Sequence, residues 1–173
     1  MDAVALMNRT DTKYLTSKEK ALKVLDQVKD DYQILEIKGQ RPFQYRTVYF
    51  DTSDRVMLYE HLRGKLNRVK VRAREYVGTT SRFLEVKLKT NKGKTVKSRI
   101  PKSSDSRSID DTEASFLAKT CSIKASELLP VIQIDFKRIT LVSLVYNERI
   151  TFDFHLTFSG KKAPKTVEDL VIV

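Results

Sequence analysis

Between Val69 and Glu75 the sequence reads VKVRARE, so Lys70, Arg72 and Arg74 alternate with Val69, Val71 and Ala73. An extended strand turns successive side chains to opposite faces, which puts three cations on one face and three apolar residues on the other. The same alternation returns in FLEVKLK, where Glu85, Lys87 and Lys89 oppose Leu84, Val86 and Leu88, and in TVKSRI, where Lys97 and Arg99 oppose Val96 and Ile100. In ERITFDFHL, Arg149, Thr151, Asp153 and His155 fall on one side, with Ile150, Phe152, Phe154 and Leu156 on the other. Like charges gathered on one sheet face repel each other unless an anion sits among them. A bound anion is therefore the first functional expectation.

The 173 residues suit a single domain spanning 1–173. A formal net charge of +11 points to a polyanionic partner: nucleic acid, anionic lipid or polyphosphate. The lone cysteine, Cys121, excludes an internal disulfide framework and a thiolate zinc site, and fits a reducing compartment. No stretch has the length of a membrane span, and Met1 to Met7 lacks the cationic start and long apolar core of a signal peptide. The expected location is cytoplasmic, with a membrane-bound partner still allowed.

Residues 8–15 read as a first strand with Arg9, Asp11 and Lys13 on one side. Thr16 and Glu19 have capping-box spacing for a helix with an Ala21, Leu22, Leu25, Val28 stripe. YQILEIK (32–38) and FQYRTVYFD (43–51) read as strands. Asp54 is placed to cap a short helix carrying Val56, Leu58, Tyr59 and Leu62, which Gly64 ends. The three basic strands follow as a meander. After Pro101, residues 102–108 read as an exposed connector, and Asp110 with Glu113 opens another helix. Residues 131–142 and 149–158 form a hairpin, and TVEDLVIV enters one more strand at the end of the sequence.

About eight antiparallel strands with a charged and an apolar face each are accommodated by closure into a barrel. Apolar faces would then lie outward under a few flanking helices, and charged faces inward around a hydrated cationic lumen. The fold expected is α+β, an antiparallel barrel suited to a linear polyanion. Sparse carboxylates would share that lumen: Asp11, Glu85, Asp153 and Glu36. Carboxylates at a phosphate site hold the divalent cation that bridges phosphoryl oxygens.

Six segments in this order, RTDTKY (9–14), TVYFDT (47–52), KVRARE (70–75), FLEVKLK (83–89), FKR (136–138) and ERITFD (148–153), resemble the vacuolar transporter chaperone (VTC) domain. That is the polyphosphate polymerase domain of the triphosphate tunnel metalloenzyme (CYTH-like) superfamily. The resemblance runs from residue 8 to the end of the sequence. It implies a tunnel that binds the triphosphate of ATP with Mn²⁺ or Mg²⁺ and transfers the terminal phosphoryl group to a growing polyphosphate. By motif match it implies phosphate contacts from Lys13, Arg72, Arg74, Lys87, Arg138 and Arg149, with Lys13, Arg72, Arg74 and Lys87 as the catalytic set. Arg138 enters the lumen only through the resemblance, because its own face also carries Ile134 and Phe136.

The charged-face pattern adds Arg9, Lys70, Lys89, Lys97 and Arg99 as phosphate ligands, and Glu85 and Asp153 as metal ligands. The family's metal-binding glutamate lies in a Glu-x-Lys pattern after an apolar run like LVIV, and this sequence ends at Val173 before it. The domain is accordingly expected to lack its C-terminal strand. Asp11 stands where triphosphatase relatives carry a denser acidic motif, which favours the polymerase branch. The competing readings are a triphosphatase on the same tunnel and a non-catalytic binding module for polyphosphate or inositol pyrophosphate. A specific nucleic-acid binder is disfavoured, since no RNP-type aromatic platform, helix-turn-helix spacing or zinc motif is present. His61 reads as ordinary surface and His155 as part of the charged face.

Overall fold

A computed structural model describes residues 11–37, 39–121 and 123–173. The alternating segments all form strands: β3 (Phe43–Asp51), β4 (Arg68–Tyr76), β5 (Arg82–Lys89) and β6 (Thr95–Pro101), paired antiparallel in that order. Register matches the two faces across the sheet, with Val48 opposite Ala73, Val71 opposite Val86 and Leu84 opposite Ile100. Val48, Phe50, Val71, Ala73, Leu84 and Val86 are therefore buried together on one face. Met57 from α2 (Val56–Leu62), Leu117 from α3 (Asp111–Cys121) and Leu128 cover them. Burying a side chain such as Leu117 contributes roughly 1.5–3 kcal/mol, so this face is committed to the core and the cationic face to the opposite side.

The remaining strands extend the sheet beyond β3. They are β1 (Leu15–Ser17), β2 (Tyr32–Ile34), β7 (Leu129–Ser143), β8 (Arg149–Ser159), β9 (Lys165–Val167) and β10 (Leu170–Ile172). The order is β1-β10-β8-β7-β3-β4-β5-β6, with β2 on β7 and β9 on β8. Helix α1 (Lys18–Gln27) seats Ala21 on Leu141, Phe152 and Val171, a second core on the same outer face.

The expected closed barrel is replaced by an open one. No backbone pairing joins β1 to β6 among the described residues. The sheet nevertheless curls, because Asp11, just before β1, reaches Lys97 of β6 at 3.6 Å. Side-chain electrostatics bridge the gap where ladder hydrogen bonds do not.

Local departures follow from competing hydrogen bonds. Ser17, not Thr16, caps α1 by accepting from the Lys20 N–H. Asp51 and Thr52, not Asp54, serve α2: the Asp51 carboxylate accepts from the N–H groups of Met57 and Leu58 at 2.9 Å each, and Thr52 Oγ1 accepts from that of Val56. Gly64, at φ 68°, ends that helix as its freedom at positive φ allows. Among the described residues the 32–38 strand is confined to Tyr32–Ile34 and the first strand starts at Leu15; residues 8–10 and 38 of the expected strands lie outside them.

The 102–108 connector is not uniformly exposed. Lys102 and Glu113 pair at 2.7 Å with side chains 0% and 1% exposed, and Lys102 also donates to Ser104 Oγ and the Ser108 carbonyl. Glu113 is held by the capping box the sequence announces, exchanging hydrogen bonds with Asp110.

Candidate functional site

The inner face of β4 and β5 sets its cations in register rows. Arg72 stands between Tyr49 and Glu85, Arg74 between Thr47 and Phe83, and Lys87 between Lys70 and Lys97. Arg72 Nε donates to Glu85 Oε2 at 2.6 Å and its Nη1 reaches the Tyr49 hydroxyl at 3.4 Å. Arg74 Nε donates to Thr47 Oγ1 at 3.4 Å. From the neighbouring wall, Arg138 forms a two-point pair with Asp153, at 2.5 and 2.6 Å.

Aromatic rings hold these forks in place. Tyr45 lies under both Arg74 and Arg138, at 5.5 and 5.3 Å from its centroid, and stacks on Phe136. Arg99 sits 4.5 Å above Phe83. A cation over a ring face is attracted by the ring quadrupole, and the ring also restricts where the fork can point. Arg138 therefore does share its face with Ile134 and Phe136, and that face is the inner one: the cavity is cationic on β4, β5 and β6 and largely apolar on β7.

The lysines carry the electrostatic strain. Burial, followed by the charges of Lys87, Lys13, Arg68 and Arg72, pushes the Lys70 ammonium down to about 8. Lys87 is lowered by burial and by Lys97, with Lys13 and Arg72 adding and Asp11 opposing. Arg74 is lowered by burial and then by Arg72. Arg72 and Arg138 move the other way: burial opposes their charge, but Tyr49 and Glu85 around Arg72, and Asp153 beside Arg138, outweigh it. The site thus contains two paired guanidiniums and a set of like-charged lysines that favour an anion among them.

Among the sequence-derived residues, Lys13, Lys70, Arg72, Arg74, Lys87, Lys97 and Arg138 come into one electrostatic neighbourhood. Arg99 flanks it on β6, opposite Glu85. Lys89 continues the β5 row outward, opposite Arg68. Arg149 is exposed at the start of β8, four residues before Asp153, or roughly 13 Å along a strand. Arg9 lies outside the described residues. Glu36 pairs with Arg41 on an exposed loop.

One histidine leaves its expected face; the other, exposed as expected, also touches a lysine of the site. His155 takes φ 52° where the β7–β8 register shifts, leaves the Asp153 face and meets Glu168 at 3.1 Å. It lines an outer cleft with Gln44, Lys137, Thr157 and Thr166. His61, read as ordinary surface, has Nε2 3.0 Å from Lys70 Nζ. Burial and then Lys70, Arg68 and further lysines lower its pKa, so the neutral ring accepts from the ammonium. The sequence spacing gives no hint of it, because the contact depends on how α2 folds back over the start of β4. Tyr45 and Phe83 are likewise visible as strand aromatics but not as shelves for arginines.

The donor set accommodates a divalent cation only in part. Among the described residues, no three His, Cys, Asp or Glu side chains gather as a metal site. Glu85 gives Oε2 to Arg72, and Asp153 is committed to Arg138 at both oxygens. One carboxylate suffices for an ion that arrives on phosphate oxygens and keeps several of its own waters.

An antiparallel sheet curled around a cationic inner face, with helices on its outer face, is the triphosphate tunnel class of α+β fold. Solved structures share it, among them two that follow. A candidate adenylate cyclase from Bacillus halodurans aligns with TM-score 0.54 and 18% identity, covering 93% of this chain and 76% of the other. A candidate adenylate cyclase from Vibrio parahaemolyticus aligns with TM-score 0.53 and 13% identity, covering 93% and 72%. At such identities the likeness is one of fold. The VTC domain profile matches residues 8–170, and the chain belongs to that family. No curated protein matches it significantly. No helix among the described residues is long and apolar enough to cross a membrane.

Proposed function

We propose that this domain synthesises inorganic polyphosphate by transferring the terminal phosphoryl group of ATP to a growing chain held along the cationic inner face. The observation that carries the reading is the cluster of Lys13, Lys70, Arg72, Arg74, Lys87 and Lys97, in which burial and then neighbouring like charges disfavour the charged forms of Lys70 and Lys87. A linear polyanion relieves that repulsion at every step along the sheet. Membership of the VTC family supports the same direction, as does the scarcity of carboxylates: Glu85 and Asp153 both sit against arginines.

In this reading a terminal oxygen of the polyphosphate acceptor forms a bond to the γ-phosphorus as the bond to the β,γ-bridging oxygen breaks, and ADP leaves. Such transfer needs little covalent help, so positioning and charge stabilisation carry the rate. Arg72, Arg74 and Arg138 present rigid forks to phosphoryl oxygens, and Tyr45 and Glu85 keep them aimed. Lys13, Lys87, Lys70 and Lys97 supply mobile point charges for the terminal phosphates, with Arg99 and Lys89 continuing the track. Arg149 would meet only a chain long enough to reach the far end of β8. Mn²⁺ or Mg²⁺ bound to the triphosphate would neutralise phosphoryl oxygens, with Glu85 as its protein contact.

Incubation with ATP and Mn²⁺, with and without a short polyphosphate primer, tests this on a gel stained for polyphosphate. Polymer lost in Arg72→Ala is the expected result. Orthophosphate or pyrophosphate alone would make the protein a triphosphatase. ATP binding without turnover would make it a binding module.

A further inference from the structure

The end of the sheet where α2 joins β4 exposes large apolar residues that the described residues leave uncovered: Leu62 at 69%, Leu66 at 62% and Tyr59 at 50%. Met57 turns inward and is buried, so the outward side of α2 is surplus to the core. Basic residues ring it. Arg63 lies over the Tyr59 ring at 5.9 Å, Lys65 pairs with Glu60, and Arg68 donates from Nη1 to the Lys65 carbonyl at 2.8 Å. The β5–β6 turn is fixed alongside, because the Asn91 N–H donates to Asn67 Oδ1 at 2.9 Å, and it presents Lys92 and Lys94, both exposed.

A surface that only gathered a soluble polyanion would have no use for exposed leucines beside its lysines. A surface that meets a bilayer needs both: apolar side chains reach the acyl boundary while flanking Lys and Arg stay among anionic headgroups. We infer that this end of the domain docks on an anionic membrane surface through Tyr59, Leu62 and Leu66, with Arg63, Lys65, Lys92 and Lys94 on the headgroups. His61, on the same helix, contacts Lys70, so docking would bring the cationic end of the inner face up against the bilayer. The inference concerns a surface outside the phosphate-binding rows and stands whether or not the domain makes polymer.

The test is co-sedimentation of the purified chain with phosphatidylcholine vesicles carrying phosphatidylserine, against phosphatidylcholine alone, at near-physiological salt. Binding to the anionic vesicles only is expected. The double variant L62N/L66N should weaken it by about tenfold or more, through lost apolar burial, while its affinity for tripolyphosphate and its melting temperature stay at wild-type values. K92E/K94E should also weaken it. Equal vesicle binding by wild type and L62N/L66N would reduce the effect to net charge and overturn the proposal, as would no vesicle binding at all. A concentration-dependent dimer that L62N/L66N dissolves would put a second copy of the chain on this face and equally overturn it.

Discussion

Lys70 offers a quantitative handle on whether the inner face is built for an anion. Its ammonium is pushed down to about 8 by burial and by Lys87, Lys13, Arg68 and Arg72. A triphosphate placed among these groups favours the charged form, so binding takes up a proton wherever free Lys70 has lost one. With a free pKa of about 8, about half of Lys70 is protonated at pH 8 and about one eleventh at pH 9, while the complex stays protonated through both. ATP affinity measured without divalent cation should therefore fall about fivefold from pH 8 to 9. Lys87, lowered for the same reasons, adds in the same direction. Titration calorimetry in two buffers of unequal ionisation enthalpy should record about half a proton taken up per ATP at pH 8, rising toward one at pH 9. Lys70→Met should remove that share of the pH dependence, and subtracting the variant cancels the titration of ATP itself. An affinity flat between pH 8 and 9, or a proton uptake equal in wild type and Lys70→Met, would refute the reasoning. The free protein carries the opposite sign of the same linkage. The folded pKa lies below the ordinary value of 10.5, so the unfolded chain binds more protons in between, and Lys70's contribution to stability rises with pH across that window.

Three further outcomes follow from named contacts. Arg72→Ala removes a guanidinium paired at 2.6 Å with Glu85 and should weaken ATP binding by about 10- to 100-fold in equilibrium titration, the range expected for charge-assisted hydrogen bonds. Lys102→Met leaves Glu113 buried without its partner and should cost about 3–5 kcal/mol in urea unfolding, whereas Lys102→Met/Glu113→Leu should recover most of that loss. Asp51→Ala strips two N–H groups of α2 of their acceptor and should cost about 1–2 kcal/mol in the same assay.

The strands of the cationic face were legible because their signal is local. In β4 each cation is separated from the next by one apolar residue, β5 continues the alternation with Glu85, Lys87 and Lys89, and burial of Val71, Ala73, Leu84 and Val86 fixes the opposite direction of Arg72, Arg74, Glu85 and Lys87. The capping box of Asp110 and Glu113 was equally plain. What escaped the sequence is non-local or breaks the period. Closure depends on whether β1 meets β6, and among the described residues Asp11 pairs with Lys97 across that gap. His155 leaves its face through a single positive φ at a register shift that no spacing reveals. Lys102 looks like loop and is buried because Glu113, eleven residues on, waits inside. Tyr45 is one aromatic of an aromatic-rich strand, and its role under two arginines depends on bringing β4 and β7 to either side of β3.

The most direct test of polyphosphate synthesis on the inner face is to follow labelled ATP with Mn²⁺ through wild type and Arg72→Ala, using γ-³²P and α-³²P separately. The account predicts γ label in a polymer that exopolyphosphatase degrades, no α label there, and loss of that polymer in Arg72→Ala. Label appearing only as orthophosphate or pyrophosphate, or polymer formed equally by Arg72→Ala, would contradict it.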